Sequence, residues 1–499
     1  MNTTPAMRDK PSSQSDVTAL VVGGGFGGVA AGIYLKKSGI HDFRIIEKAA
    51  GLGGTWWDNH YPGAEVDVPS HLYSFPFKAF DWSRTHAQQP EMQRYIKDLV
   101  DEYDLSPHVS LLTTAVEAVW SEDAQRYRVS LSTGEFVTAR VLISAVGLMN
   151  VPHYPDWPGL DEFEGPKFHT ARWEHEHDLA GKRVAVAGTG STSSQVVAAI
   201  APLVEKLHLF QREPGWVLPK GDRDYNPEER AKFANESELK RRWRRVKPYV
   251  AQMRTQAFAR MWRPATKMNQ NLQEKALAYI DSVFAERPDL KEAVTPKYPF
   301  AGKRTILSGA FYPALLRPNV EIIPRAVVGV TRNGVVDAGG IETPVDILIM
   351  ATGFQQANVL SSLRVIGRNG RSLHDIWGTE PRALLGITVP DMPNFFMLYG
   401  PNTNGGEIFS NHRAEAKWAT RSIKRLQRHG GTIETRERPF EIFDKWLQKS
   451  MRKTSWVAAN NYYKSSTGRI VTQWPFDAFT YRVLARIFYR IGLKHQRKR

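Results

Sequence analysis

Apolar and polar positions along the chain fall into a pattern that occurs twice. A short β-branched apolar run leads into a glycine cluster and then into an amphipathic helical repeat. It appears first in DVTALVVGGGFGGVAAGIYLKKSG, from Asp16 to Gly39, and again in GKRVAVAGTGSTSSQVVAAIAPLV, from Gly181. A further apolar strand follows each, DFRIIEK and KLHLFQRE. A switch from strand to helix periodicity across a glycine turn predicts strand, turn, helix and strand. Two such units predict an α/β chain with two Rossmann-like, doubly wound dinucleotide-binding domains. A third apolar strand, VDILIMATGF from Val345, has no glycine turn and helix of its own, and is expected to return to the first sheet.

Between Asp224 and Val294 the pattern turns long and helical, with Asn226 and Pro227 as a start signal, which predicts a helical insertion. Its basic run, Lys240, Arg241, Arg242, Arg244, Arg245 and Lys247, is interleaved with apolar and aromatic residues at helical spacing. That is the pattern of a solvated helix face rather than a nucleic-acid stripe. The stretch from Tyr481 to Arg499 reads as an amphipathic basic helix with a charged tail, docked on the protein's own core; peripheral membrane contact is the lesser reading. The expected organisation is a disordered leader (1–15), a first nucleotide domain (16–148), a second (149–223), the helical insertion (224–296), a return to the second domain (297–340), and a return to the first with the C-terminal region (341–499).

Composition changes this picture in three ways. At 499 residues the chain exceeds one ordinary core. It has no cysteine, which excludes disulfides, thiolate metal sites, cysteine nucleophiles and dithiol relays. The net charge of +16 suits nucleic acid, anionic membranes and anionic cofactors alike and selects none of them. The uncharged stretch Val17–Leu35 resembles a membrane segment, but its six glycines fit strand, turn and helix better. A cytoplasmic enzyme without integral membrane association is expected.

The first turn carries Gly23, Gly25 and Gly28 in the GxGxxG spacing, which allows a tight turn, close approach of a diphosphate and helix–strand packing. Glu47 closes the next strand, where a carboxylate accepts hydrogen bonds from a ribose diol. The second turn, Gly188-Thr189-Gly190-Ser191, has Ser193 in place of the third glycine. Arg212 closes its following strand, and a fork-shaped cation there suits the 2′-phosphate of NADPH, although the neighbouring Glu213 opposes a phosphate unless it is paired. Two dinucleotides imply hydride transfer from nicotinamide to flavin. Without cysteine, the electrons leave to dioxygen or a diffusible acceptor.

Three segments resemble the Baeyer–Villiger type of flavoprotein monooxygenase, over nearly the whole chain. Gly53-Gly54-Thr55-Trp56 through Tyr61-Pro62-Gly63 to Asp67 matches the family's GGxWxxxxYPGxxxD. Phe163, Gly165, His169 and Trp173 reproduce FxGxxxHxxxW, although Glu174 departs from the Pro or Asp that usually follows. GKRTILSGAFYPALLRPNVEII places Lys303 and Arg304 where the family keeps a phosphate-side lysine and its active-site arginine. The resemblance implies FAD at the first turn, with Gly54, Thr55, Trp56, Asp67, Tyr73 and the backbone at Val116 nearby. It also implies NADPH at the second, held by Arg212 and Lys303. The implied reaction inserts one oxygen atom of O2 into a ketone through a C4a-peroxyflavin, with Arg304 as the catalytic cation and Asp67 orienting it. Oxidation of sulfur or nitrogen nucleophiles, and an NADPH oxidase or reductase, remain alternatives. His169 is expected to hold the interdomain linker without catalysing, and Tyr462-Tyr463 stands where relatives often have Trp-Tyr.

Overall fold

The computed structural model describes residues 14–244, 257–405 and 407–497. The expected leader lies outside them, except that Gln14 and Ser15 already belong to the first strand. That strand, β1 (Gln14–Val22), leads through the first glycine turn into helix α1 (Phe26–Lys37) and then β2 (Phe43–Ile46). The supposed membrane-like stretch is therefore β1, the turn and most of α1, and among the described residues no helix is long and apolar enough to cross a membrane.

β1 is paired in parallel on one side with β2, which carries β3 (Val109–Ser110), and on the other with β6 (Phe136–Ser144). β6 also ends an antiparallel meander with β4 (Ala115–Ser121) and β5 (Arg126–Leu131). In β5 the inward positions Tyr127, Val129 and Leu131 alternate with more exposed ones, as expected of a strand with one face on a core.

The second sheet holds β7 (Lys167–His169), β8 (Arg183–Ala187) and β9 (Lys206–Phe210), with the helix Ser191–Ile200 between the last two. Two short strands, β10 (Val217–Leu218) and β11 (Ile306–Leu307), pair in parallel and carry the Lys303-Arg304 segment to the vicinity of Arg212. Next come β12 (Val320–Ile323) and a small antiparallel sheet of β13 (Val327–Val330), β14 (Gly334–Asp337) and β15 (Glu342–Pro344). The chain then enters β16 (Ile347–Met350).

Here the sequence expectation is corrected. β16 pairs in parallel with β8 and β7, giving the order β12-β9-β8-β16-β7, so the third apolar strand belongs to the second sheet. The second unit accordingly extends beyond residue 340. All four residues of β16 are buried, and a strand covered on both faces has no alternation to show which sheet will take it. The return to the first sheet is made later, by β17 (Arg364–Ile366) on β4 and β18 (Phe395–Met397) on β6.

The insertion is helical as expected, with helices Pro227–Ala234, Ala257–Met261, Lys267–Val283 and Pro288–Val294. Asn226 and Glu229 cap the first of these reciprocally. In the basic run, Arg242 pairs with Glu238 and Arg244 with Glu236, while Arg241 Nε donates to the Pro76 carbonyl at 2.9 Å. Arg245 and Lys247 lie outside the described residues. The C-terminal helix Ala478–Ile491 docks on the core through buried Tyr481 and Ala485, and Trp418 Nε1 donates to the Ala485 carbonyl at 2.9 Å. Beyond Gly492 the expected helical tail is instead a strand, β20 (Leu493–Gln496), antiparallel to β19 (Thr432–Thr435). Pairing with the edge of β19 satisfies the backbone groups of Leu493–Gln496.

One loop clasps the two sheets. Tyr61 Oη donates to Gln195 Oε1 at 2.8 Å, and Gln195 Nε2 donates back to the Glu65 carbonyl at 3.0 Å. Between them Gly63 has φ +81°, and a Cβ there would lie 2.8 Å from the Gln195 carbonyl oxygen. Left-handed backbone costs a non-glycine residue about 1–2 kcal/mol before any clash. Gly63→Ala should therefore lower the thermal denaturation midpoint by several degrees. A midpoint equal to that of the unaltered chain would show that the clasp yields without cost.

Candidate functional site

Both glycine turns open on one cavity of ≈1260 Å³. This exceeds the roughly 300–1,000 Å³ of an ordinary small-molecule pocket, as a space shared by two nucleotides and a substrate requires. At the first turn Gly23 has φ +106°, and a Cβ on Gly28 would sit 1.8 Å from the Gly23 carbonyl oxygen, so α1 can start only against glycine. A Cβ on Gly25 would meet only the Gly53-Gly54 backbone, nearest at 3.5 Å, and a Cβ on Gly54 would come within 2.9 Å of Gly25 Cα. The GGxW segment is thus packed backbone to backbone on the turn. Buried Glu47 accepts the Gly24 N–H at Oε2 (2.6 Å) and the Ala49 N–H at Oε1 (2.8 Å). Each oxygen keeps a lone pair for a diol, so the residues fit a dinucleotide here. Thr55, Trp56 and Tyr73 line the same wall, with Trp56 Nε1 donating to Tyr73 Oη at 3.3 Å.

At the second turn Gly188 has φ +128°, and its Cβ would lie 2.3 Å from the Ala351 carbonyl oxygen at the end of β16. Nothing lies within 4 Å of a Cβ on Gly190, which leaves bare backbone facing the cavity beside Thr189 and Ser191. Arg212 lines the cavity, is exposed, and has no hydrogen bond or ion pair among the described residues. Glu213, which opposed a phosphate in the sequence, is ion-paired with Lys303 Nζ, and its carbonyl accepts from Thr189 Oγ1 at 2.8 Å. The carboxylate is therefore neutralised, Arg212 remains free for an anion, and Lys303 is already engaged.

Between the two turns Arg304 Nη2 donates to Asp67 Oδ2 at 2.5 Å. The Arg304 side chain is 46 % exposed, but it opens onto the cavity. The Asp67 carboxylate drives the guanidinium pKa above its ordinary value against the opposing effect of burial, and the phenols of Tyr462, Tyr463 and Tyr399 add to the rise. Burial pushes all three phenols up as well, so they remain O–H donors around the cation.

Three expected residues fall outside the cavity wall. Gly28 and Ser193 are buried in packing, with the Ser193 hydroxyl unpartnered, and Val116 is 53 % exposed while Thr113, Thr114 and Ala115 line the cavity. Tyr399 and His412 are wall residues that sequence reasoning missed. Tyr399 has φ +64° just after β18, and the turn signal Gly400-Pro401-Asn402 was the available clue.

His169, expected to hold the interdomain linker, bonds to backbone at both ring nitrogens. It is fully buried, its Nδ1 accepts the Ala171 N–H at 3.0 Å, and its Nε2 lies 3.0 Å from the Gly353 carbonyl, tying β7 to the chain after β16. Desolvation holds the ring at about 4, well below the ordinary 6.5, with the Gly353 carbonyl opposing.

A chain whose two glycine turns and facing cation share one cavity has the architecture of a two-nucleotide oxidoreductase. The model of the pyridine nucleotide-disulphide oxidoreductase family matches residues 20–257. A Baeyer-Villiger monooxygenase of Pseudomonas aeruginosa is 35% identical over 485 residues, covering 96% of this chain and 91% of that protein. Among solved structures, the closed form of cyclohexanone monooxygenase superposes with TM-score 0.87 at 28% identity, covering 97% of this chain and all of that one. The structure of OTEMO in complex with FAD and NADP gives 0.86 at 26% identity, covering 96% of this chain and 99% of that one. The chain belongs to the Baeyer–Villiger monooxygenase family.

Two outcomes follow from the site's electrostatics. Arg212→Ala should raise the Michaelis constant for NADPH about tenfold or more, the worth of a charge-assisted hydrogen bond, and that for NADH far less; equal effects would remove Arg212 from phosphate recognition. Because the folded-state value of His169 is depressed, its stabilisation is complete above pH 6.5 and is lost as pH falls towards 4. Across that window the thermal midpoint of His169→Asn should fall less steeply than that of the unaltered protein. Parallel curves would contradict the assignment.

Proposed function

We propose that this chain is an FAD-containing, NADPH-dependent enzyme that converts a ketone, O2, NADPH and a proton into an ester or lactone, water and NADP+. The observation that carries this is the Arg304–Asp67 pair set between the two turns in their common cavity. Bound FAD, reduced by NADPH, supplies the electrons that activate dioxygen.

In this reading the first turn with Glu47 holds FAD, and the second turn with Arg212 holds NADPH. Lys303 assists there only when it exchanges Glu213 for phosphate. The sheet of β1 and β6 is then the FAD domain and the sheet of β8 and β16 the NADP domain. Arg304 stays cationic at working pH and presents N–H donors to the negative oxygen that develops when a carbonyl carbon is attacked. Asp67 fixes the guanidinium plane. Tyr399, Tyr462 and Tyr463 stand around the cation as hydroxyl donors. The cyclohexanone monooxygenases among the similar structures support a carbonyl substrate, and the FAD and NADP of the OTEMO structure support the cofactor pair. Dependence on NADPH suits the cytoplasm, where that reductant is regenerated.

The test is a ketone panel run with NADPH and isotopically labelled dioxygen, in which label should appear in the ester. Hydrogen peroxide as the sole product across the panel would sink the proposal. Arg304→Ala should still reduce flavin with NADPH while ester formation falls on the order of a hundredfold, the usual cost of losing one such donor. Undiminished ester formation would remove Arg304 from catalysis.

A further inference from the structure

The helix Ile408–His429 carries a polar pair that the reaction above does not use. Glu415 is fully buried, yet its carboxylate is well supplied with donors: the Tyr399 N–H reaches Oε2 at 3.2 Å and Tyr481 Oη reaches Oε1 at 3.0 Å. The third partner is His412, whose Nδ1 lies 3.1 Å from Oε2. An uncompensated buried carboxylate is expensive, and three donors make this one tolerable. Because the carboxylate can only accept, Nδ1–H donates to it, which fixes the ring's orientation, as a carboxylate behind a histidine does in many sites.

The other ring nitrogen has no protein partner among the described residues. His412 is only 3 % exposed and lines the cavity, and among the described residues nothing hydrogen-bonds to its Nε2. Its position is specific. A Cβ built on Gly27 would lie 3.4 Å from His412 Cε1, the ring carbon between the two nitrogens, so the ring edge that carries Nε2 lies by the glycine turn while Nδ1 is held by Glu415. Gly27 is the second residue of α1, in the turn whose free backbone N–H groups form an anion site at the start of a twelve-residue helix. The same ring meets Tyr399 edge-on, with centroids 5.9 Å apart, so its other side is closed by packing.

We infer that His412, oriented by Glu415, is a binding residue for the first dinucleotide: as an imidazolium, with Nδ1–H held by Glu415, it donates Nε2–H to the diphosphate of FAD beside the start of α1. The inference rests on the reading that FAD occupies the first turn, and it adds a side-chain contact to a site otherwise built from backbone. Glu415 acts through His412 and touches no ligand itself.

The experiment titrates apo-protein with FAD, following the quenching of flavin fluorescence. His412→Leu, which keeps the bulk and removes the nitrogen, should weaken FAD binding about tenfold, the worth of one such hydrogen bond. His412→Gln, which restores a side-chain donor, should recover most of the loss, whereas a purely structural role would give no such rescue. Glu415→Gln should weaken binding by a smaller factor, and it stands in for the leucine variant if that one fails to fold. FAD affinity within twofold of the unaltered protein in a folded His412→Leu, or in Glu415→Gln when it stands in, overturns the inference, as does a glutamine variant no better than leucine. Failure of the unaltered apo-protein to bind FAD would instead overturn the cofactor assignment under it.

Discussion

The approach of one loop's backbone to two others is the constraint on which this molecule depends. Gly54 lies against Gly25 at the first turn, and nine residues later Gly63 lies against the Gln195 carbonyl in the helix after the second. Side chains at either position would hold the surfaces apart, so the spacing between the sheets is set where no Cβ intervenes. Asp67 follows four residues on and meets Arg304. The same short segment that spaces the sheets therefore fixes the cation between them. This explains why a family motif that looks like a collection of unrelated residues behaves as one mechanical part.

Electrostatics then divides the labour. The chain is strongly basic overall, but near the site its cations are mostly committed: Lys303 to Glu213, Lys220 to Glu65 and Arg304 to Asp67. Arg212 has no such partner among the described residues, and Lys48 reaches only the Asn150 carbonyl, at 3.2 Å. A committed cation is rigid and positioned, and an uncommitted one can select a ligand. Sequence composition reports only the total, which is why the net charge could not distinguish cofactor binding from attraction to nucleic acid or membrane.

What could be read from the sequence was whatever has no chemical substitute. Gly23, Gly28 and Gly188 need positive φ or a missing Cβ, and both turns were visible from that requirement alone. The Asn226 cap was equally clear, because few residues accept a hydrogen bond at a helix start. Sheet membership was not legible. β16 is buried on both faces, and its run of apolar residues would suit either sheet. The Glu213–Lys303 pair joins residues 90 positions apart, and nothing local announces such a contact. His412 and Glu415 were hidden for a related reason. Three apart on a helix, they read as surface polar residues until tertiary packing buries that face.

β6 is completed from both ends of the chain, and this sets an order of events during synthesis. β5 covers only its first half, from Phe136 to Ala139, while Leu142–Ser144 await β18. The roughly 250 residues between Ser144 and Phe395 take on the order of 12–50 s to emerge at about 5–20 residues per second. The second sheet has all its strands once Met350 is made, so the sheet begun first is finished last. Throughout that interval the nascent protein carries an open strand edge at Leu142 and Ile143, the kind of surface that chaperones bind and that otherwise recruits another unfinished chain.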